Sequence, residues 1–399
     1  MPSAKSWLAS LALMAMVTPA MAASDASTGA SAGVTTPGSA AAATRPATAR
    51  PTLLPAGDFS TKGNQIVDQK GRPVRLACIG WNQFNHDIPF WRQTQLMAEQ
   101  GFNCIRVSWV NATMRQDLAH IDRISAAASK AGLRLILDNH TNEAGHGPRD
   151  NWGAQQKNGL WYDRGGGSDN TDGGGNVGTV TDERFTADWQ EVARHYAGNS
   201  TIIGYDIRNE PQDWPGMSVW GGGSNRDIRA MYIRVGNAIQ AIDQAKLIIV
   251  EPPNSDCRGI KKYPVTLTVQ SKLLYSVHEY PGEISGQKIS SGPALIRRMN
   301  EMWGFVINEG IGPIFVGEMG SSMRSAQSRA WAATIVPYLN GEGPDGLHIG
   351  PGQAVSTDWW AWGYLPGQNP DGTLESDWKT PKPVQEMVYS RLRQAPIGD

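Results

Sequence analysis

Short apolar runs alternate with longer amphipathic segments from Leu53 onward, and this alternation limits the possible folds more than any other feature of the chain. Runs this short, bounded by polar or Gly-rich sequence, are typical of buried strands. The eight predicted strands are residues 74–80, 103–107, 134–138, 202–207, 247–250, 273–277, 314–317 and 358–362. The predicted helices are residues 90–100, 118–131, 182–196, 227–242, 294–309, 326–339 and 383–392, and the stretch between the fifth and sixth strands has no clear helix.

Strands that are apolar along their whole length and alternate with helices indicate a parallel sheet that helices cover. Eight such units within residues 53–399 fit an α/β fold of the (β/α)8 TIM-barrel type, as a single domain. A doubly wound open sheet is the alternative. That fold favours a Gly-rich phosphate-binding turn after the first strand, which residues 79–84 do not provide. The pattern therefore predicts a barrel.

Polar side chains stand at the carboxyl ends of the predicted strands, where barrel enzymes carry their active sites. They are Arg106 in the second strand, His140 after the third, Asn209 and Glu210 after the fourth, His278 and Tyr280 after the sixth, Glu318 after the seventh and Trp360 in the eighth. Burying charges at such positions costs several kcal/mol per ion unless they are paired. Their concentration at one rim predicts a functional site.

Glu210 and Glu318 end the fourth and seventh strands, so they are expected to face each other across the barrel mouth. Hydrolysis of a glycosidic bond uses one carboxylic acid to protonate the departing oxygen. In a retaining enzyme a second carboxylate, about 5–5.5 Å away, attacks the anomeric carbon. Pro211 restricts the backbone after Glu210, and Gly317 and Gly320 allow close backbone approach around Glu318.

The order of these motifs resembles that of glycoside hydrolase family 5, and specifically of its bacterial endo-β-1,4-glucanases (cellulases). The resemblance runs from the segment that begins at Asn64 to Trp378. Asn209-Glu210-Pro211 resembles the acid/base signature of the family, and Gly317-Glu318-Met319-Gly320 resembles its nucleophile signature, with Met where Phe is commoner. The other matches are Arg106 on strand two, His140 on strand three, His278-Glu-Tyr280 on strand six and Trp360 on strand eight.

The resemblance implies a catalytic role for two of these residues and a supporting role for the others. Glu318 would be the nucleophile, kept ionised by Arg106 and hydrogen-bonded by Tyr280. Glu210 would be the general acid and then the general base, so its pKa is expected to be raised before the first step. The residues expected to bind the substrate or orient the acid are Arg106, His140, Asn209, His278, Tyr280 and Trp360.

The resemblance thus implies a retaining endo-β-1,4-glucanase that acts on cellulose or a related β-glucan. We further expect the enzyme to be secreted and to use no cofactor or metal. One alternative is a retaining β-glycanase of another specificity, for β-mannan or mixed-linkage β-glucan. Another is a non-catalytic carbohydrate-binding barrel, which the presence of both glutamates with their Arg and Tyr partners disfavours.

Tryptophan is unusually frequent, with 15 residues against 7 Phe and 10 Tyr. A flat indole can bury the apolar face of a sugar at little entropic cost. The candidates for a sugar-binding cleft are therefore the tryptophans near strand ends: Trp81, Trp109, Trp152, Trp161, Trp214, Trp220 and Trp362. About half of them are expected to be core residues instead. Trp189, Trp303 and Trp331 lie in predicted helices and are expected in the core.

The first 22 residues resemble a secretory signal peptide, with Lys5, an apolar stretch over residues 7–17 and small residues up to Ala22. The apolar stretch is shorter than the roughly 20 residues that span a bilayer, which disfavours a membrane anchor. Residues 23–52 are rich in Ala, Ser, Thr, Gly and Pro and are expected to form a disordered linker. We expect export, cleavage near Ala22 and a monomer that does not contact a membrane.

The remaining features argue against other functions. The formal net charge is -1, and no basic run indicates a nucleic-acid partner. The three cysteines, Cys78, Cys104 and Cys257, are expected to be structural thiols. His140, Glu143 and His146 lack the spacing of a helical zinc motif. The Gly-rich segment at residues 165–175 resembles a single calcium-binding repeat, and an isolated repeat of that kind is not expected to bind.

Overall fold

A computed structural model describes residues 53–82, 87–142, 159–163, 180–213, 215–343, 345–349, 354–368 and 370–392. The predicted signal peptide and linker, Trp152, Trp214, Glu143, His146 and the Gly-rich segment lie outside these ranges. No helix within these ranges is both long enough and apolar enough to cross a membrane.

Eight parallel strands close into a barrel, which confirms the predicted fold. They are β4 (Ala77–Trp81), β5 (Cys104–Val110), β6 (Arg134–Thr141), β7 (Ile202–Asp206), β8 (Leu247–Val250), β9 (Leu273–Glu279), β10 (Ile314–Met319) and β11 (Ser356–Trp359). Each pairs with its neighbours in chain order, and β11 closes on β4. Three short antiparallel strands precede the barrel and were not predicted: β1 (Ser60–Lys62), β2 (Gln65–Val67) and β3 (Pro73–Val74).

All seven predicted helical segments are present, one of them divided in two, and a further short helix at Gly282–Ser285 was not predicted. The helices are α1 (Phe90–Glu99), α2 (Met114–Ala131), α3 (Asp182–His195), α4 (Ile228–Gln240), α5 (Gly282–Ser285), α6 (Gly292–Met299), α7 (Phe305–Asn308), α8 (Ala326–Leu339) and α9 (Pro383–Leu392). The predicted helix at residues 294–309 is divided into α6, a π-helical turn (Asn300–Gly304) and α7. Between β8 and β9 there are only short 3-10 turns, as expected.

Local sequence explains where two of these helices begin and end. The α3 helix follows Thr181, whose hydroxyl accepts the backbone N–H of Arg184. The α2 helix ends at Gly132, where φ is +77° and a side chain would be strained.

The barrel interior changes from apolar at its lower end to polar at its upper end, and β5 shows how. Ile105, Val107 and Trp109 lie in the core between the barrel and the helices. Cys104 lies in a separate apolar cluster with inward-facing residues of other strands, such as Ile136 and Phe315. Because side chains alternate between the two faces of a strand, Arg106 also points into the barrel, one layer above Cys104.

Two of the three cysteines form a disulfide, so the prediction of three thiols was wrong for Cys78 and Cys104. These residues are directly opposite each other on β4 and β5, with Cα atoms 4.4 Å apart. Their pairing depends on the register between two parallel strands, which neither strand's own sequence contains. Cys257 is a free, buried thiol, as predicted.

Candidate active site

Glu210 and Glu318 meet at the upper end of the barrel. One carboxylate oxygen of Glu210 and one carboxylate oxygen of Glu318 lie within 4.8 Å of each other. Glu210 follows β7 and its side chain is 23% exposed, whereas that of Glu318, in β10, is only 5% exposed. A ligand in the barrel mouth would therefore meet both carboxylates, with Glu318 on the enclosed side.

A β-bulge in β10 turns Glu318 into the barrel. The pairing of β10 with both neighbours shifts register after Val316. Phe315 faces the interior and Val316 the outer core, so strict alternation would turn Glu318 outward; Met319 instead packs in the outer core. The extra residue is Gly317, where a Cβ atom would lie 2.3 Å from Ser276 Oγ. A side chain at this position would prevent the bulge from packing.

Arg106 holds Glu318 from below. Its completely buried guanidinium donates to Glu318 Oε1 (2.8 Å), Asp138 Oδ1 (2.9 Å), Asp206 Oδ2 (2.9 Å) and Asn209 Oδ1 (2.8 Å). Burial lowers the pKa of Arg106, but these carboxylates raise it by more, to well above its usual value. The guanidinium therefore remains charged, and it supports Glu318 and Asn209 from beneath the mouth.

Tyr280 holds the other oxygen of Glu318, because its hydroxyl donates to Oε2 at 2.8 Å. Burial raises the pKa of Tyr280, and the charges of Glu318 and Glu210 raise it further. The phenol thus remains protonated and acts as a hydrogen-bond donor. With Arg106 on Oε1 and Tyr280 on Oε2, the orientation of the Glu318 carboxylate is fixed.

His278 lies between the two catalytic candidates. Its Nδ1 is 2.9 Å from Glu210 Oε1 and 3.6 Å from Glu318 Oε2. Burial lowers the pKa of His278, but Glu251, Glu318 and Glu210 raise it by more, to about 10. The imidazole is therefore protonated at neutral pH.

The pKa of Glu210 differs from the sequence-based expectation. Burial raises it, but the hydrogen bond and charge of His278 lower it by more, so the net shift is downward. The expectation of a raised pKa was wrong for the structure without substrate, because the sequence does not show that an imidazolium contacts this carboxylate. The proton that the acid needs is therefore on His278, whose Nδ1 donates it in a hydrogen bond to Glu210 Oε1.

His140 and Trp360 form a stacked pair beside the carboxylates. Their rings are nearly parallel, with an interplanar angle of 4° and centroids 5.4 Å apart. His140 Nδ1 lies 2.6 Å from Asp138 Oδ2, which fixes the orientation of the ring. Trp360 also packs with Leu365 and Tyr280. The pair connects the Arg106 network to the upper surface of the site.

The two polar side-chain atoms of Asn209 differ in their contacts. Its Oδ1 accepts from Arg106 Nη2, whereas its buried Nδ2 has no hydrogen-bond partner among the residues that the structure describes. Buried amide donors are normally satisfied, so this group is available to a ligand oxygen.

Most of the tryptophans predicted to line a cleft are in the core instead. Trp81, Trp109, Trp161 and Trp362 are buried in the main apolar cluster, and Trp220 packs against it half-buried. A strand end places the backbone at the rim, but alternation then directs many of these side chains towards the helices. Trp189, Trp303 and Trp331 are in the core, as predicted.

Four buried acidic residues near the pair were not predicted as site residues: Asp138, Asp206, Glu251 and Asp358. Asp206 ends β7 and Glu251 directly follows β8, so a search for carboxylates at those positions would have found them. Asp138 lies within β6, three residues before its end. Neither carboxyl oxygen of Asp358 has a hydrogen-bond partner within the part of the chain that the structure describes. Burial raises its pKa well above the usual value, although Arg106 lowers it, so this carboxyl is neutral.

One group of side chains among the described residues has the spacing to hold a metal ion. It contains one ligand atom each from Glu210, His278 and Glu318, and these atoms all lie within 4.8 Å of one another. The same atoms carry the hydrogen bonds described above, so we interpret them as paired acid/base groups. The absence of a metal from the function remains a prediction.

Comparisons with known proteins agree on one family. The family model described as Cellulase (glycosyl hydrolase family 5) matches residues 67–364. An endoglucanase from Paenibacillus polymyxa is 26% identical over 383 residues, covering 83% of this chain and 86% of that protein. The major extracellular endoglucanase of Xanthomonas campestris pv. campestris is 25% identical over 371 residues, covering 81% and 69%.

Solved structures also share the fold. The hyperthermophilic endocellulase from the archaeon Pyrococcus horikoshii superposes with a TM-score of 0.67 at 21% identity, over 85% of this chain and 99% of that one. The range matched by the family model contains all eight barrel strands and every site residue described above.

Proposed function

The chain belongs to the cellulase family, glycosyl hydrolase family 5, and we propose that it is a retaining endo-β-1,4-glucanase with Glu318 as nucleophile and Glu210 as acid/base. The observation that carries this proposal is the approach of two carboxylate oxygens to within 4.8 Å. That separation leaves no room for a water between carboxylate and sugar, as inversion requires, and suits direct attack by one carboxylate.

In the first step, Glu318 Oε2 or Oε1 attacks the anomeric carbon while Glu210 protonates the departing glycosidic oxygen. The His278 imidazolium supplies this proton through the hydrogen bond from Nδ1 to Glu210 Oε1, and it recovers a proton through Glu210 in the second step. The bond from Glu318 to the sugar removes one negative charge from the site. In the second step, Glu210 accepts a proton from water, which attacks the same carbon and releases Glu318.

The surrounding groups have roles that follow from their contacts. Arg106 and Tyr280 orient Glu318 and stabilise it when it leaves. Asn209 Nδ2 would donate to the 2-hydroxyl of the reacting sugar, a contact that strengthens in the transition state. Trp360, supported by His140, would stack against that sugar.

The proposed substrate is a β-1,4-glucan. The relatives named above are endoglucanases, and the Pyrococcus horikoshii endocellulase has been solved in complex with cellotetraose. A non-catalytic carbohydrate-binding protein would gain nothing from holding a nucleophile with both Arg106 and Tyr280.

We also propose that the chain is exported after cleavage of residues 1–22. The disulfide between Cys78 and Cys104 supports this, because disulfides persist in oxidising compartments. The Xanthomonas campestris relative is named as an extracellular enzyme.

The test is reducing-end release from carboxymethylcellulose, β-mannan and mixed-linkage β-glucan, measured side by side with purified protein. We expect the highest kcat/KM on carboxymethylcellulose and a fast fall in its viscosity, as internal cleavage produces. NMR of the first product should show the β anomer. An initial α anomer would refute retention, and preference for mannan would refute the glucanase assignment.

A further inference from the structure

Glu251 is a buried carboxylate that the mechanism above does not use. It follows β8 directly and its side chain is buried. Its Oε2 accepts the backbone N–H of Glu210 at 2.8 Å, and its Oε1 accepts the hydroxyl of Ser255 at 2.9 Å. Both carboxylate oxygens of Glu251 therefore accept a hydrogen bond, one from the backbone of the acid/base residue Glu210 and one from Ser255 in the loop after β8.

The first of these contacts holds Glu210 in an unusual backbone conformation. Glu210 has φ +42°, in the left-handed region that residues other than Gly rarely adopt. Such conformations persist only where the surroundings determine them strongly. The Glu251 carboxylate accepts the N–H of this residue, and the backbone N–H of Asn254 donates to the carbonyl of Pro211. The loop after β8 thus fixes the direction in which the Glu210 side chain leaves the backbone.

The second set of contacts reaches His278 on the side opposite Glu210. Glu251 Oε2 lies 3.5 Å from His278 Nε2, whereas Glu210 Oε1 lies 2.9 Å from Nδ1. Ser255 Oγ donates to Glu251 and accepts the backbone N–H of His278. The imidazole thus lies between two carboxylates. Nδ1 forms a hydrogen bond with Glu210, whereas Nε2 is at ion-pair distance from Glu251 and has no hydrogen bond among the described residues.

We propose that Glu251 is a positioning residue for acid/base catalysis: it fixes the backbone of Glu210 and the His278 ring, so that Nδ1 keeps its proton directed at Glu210. This inference rests on the proposed function for its catalytic consequence. Its structural consequence, the proton position on His278, can be measured without any substrate.

Glu251 also adds charge to the site when it ionises. Burial raises its pKa, the His278 imidazolium lowers it, and Glu210 and Asp206 raise it, to about 8. The titratable groups that face the Glu251–His278 pair are Glu210, Glu318, Asp206, Asp358, Tyr232 and Cys257. Among the carboxylates that raise the pKa of His278, Glu251 has the largest effect, so its removal should lower the proton affinity of the imidazole.

The kinetic test uses Glu251→Ala and Glu251→Gln with two substrates, phenyl β-cellobioside and 2,4-dinitrophenyl β-cellobioside. Phenol is a poor leaving group and needs the acid, whereas dinitrophenol does not. For Glu251→Ala we expect kcat/KM to fall roughly 100-fold on the phenyl substrate, the scale of a misplaced catalytic group, and only a few-fold on the other. Glu251→Gln should recover much of the loss, because its amide oxygen can accept the Glu210 N–H.

The matched control is Glu279→Gln. Glu279 is also buried at the end of a barrel strand, but it pairs with Arg298 outside the catalytic group. We expect this variant to keep the ratio of the two kcat/KM values. Equal losses on both substrates for Glu251→Ala, or the same selective loss for Glu279→Gln, would overturn the proposal.

The second test follows the His278 imidazole by 15N NMR in the full-length protein. The His278 signal is the one that disappears in the His278→Gln variant. In Glu251→Gln the His278 titration midpoint should fall, and the basic limb of the kcat/KM profile should move to lower pH. An unchanged midpoint would overturn the proposal. If the wild-type protein hydrolysed neither cellobioside, the proposed function would fail, and the NMR result would still decide the role of Glu251.

Discussion

Replacing both Cys78 and Cys104 with alanine should lower the free energy of unfolding by about 3.5 kcal/mol. The two residues are 26 positions apart, and both side chains are buried. In the chain-entropy treatment, a loop of this length restricts the unfolded chain by about 12 cal/mol/K, which at 298 K gives about 3.5 kcal/mol. This is a large part of the roughly 5–15 kcal/mol that stabilises an ordinary protein.

The assay is equilibrium urea unfolding, followed by tryptophan fluorescence, with and without a reducing agent. Reductant should destabilise the wild-type protein and have no further effect on the double variant. The Cys257→Ala variant is the control and should respond to reductant as the wild type does. Thiol titration of the unfolded, unreduced wild-type chain should find one thiol. Three thiols, or equal stability of the double variant and the wild type, would refute the reasoning.

Four further outcomes are expected. Glu318→Ala should abolish hydrolysis while near-UV circular dichroism remains that of the wild type; turnover of cellulose oligomers by this variant would reject the nucleophile. Glu210→Ala should lose activity on cellulose oligomers far more than on dinitrophenyl cellobioside, and equal losses would show that Glu210 is not the acid. Arg106→Met should lower the free energy of unfolding by about 3–5 kcal/mol, measured in urea, because it leaves buried carboxylates unpaired. The neighbouring carboxylates outweigh burial and raise the pKa of His278 from 6.5 to about 10, so its stabilising contribution is complete below pH 6.5 and is lost as the pH rises towards 10. Urea unfolding at pH 6 and pH 10 should show this loss, and His278→Gln should reduce it.

The sequence determined the order and type of the barrel elements. The eight barrel strands and the seven predicted helical segments were visible as local patterns, because burial on both faces of a strand or on one face of a helix requires a short-range spacing of apolar residues. The positions of Glu210 and Glu318 at strand ends followed from the same pattern, since parallel strands bring their carboxyl ends to one rim.

The tertiary structure alone decided the contacts between those elements. The Cys78–Cys104 bond depends on strand register, and the inward direction of Glu318 depends on the bulge at Gly317. The downward pKa shift of Glu210 depends on His278, which is 68 residues away in the chain and 2.9 Å away in space. Local patterns record which face of an element is buried, but register, bulges and electrostatic shifts depend on distances between elements, which only the folded chain defines.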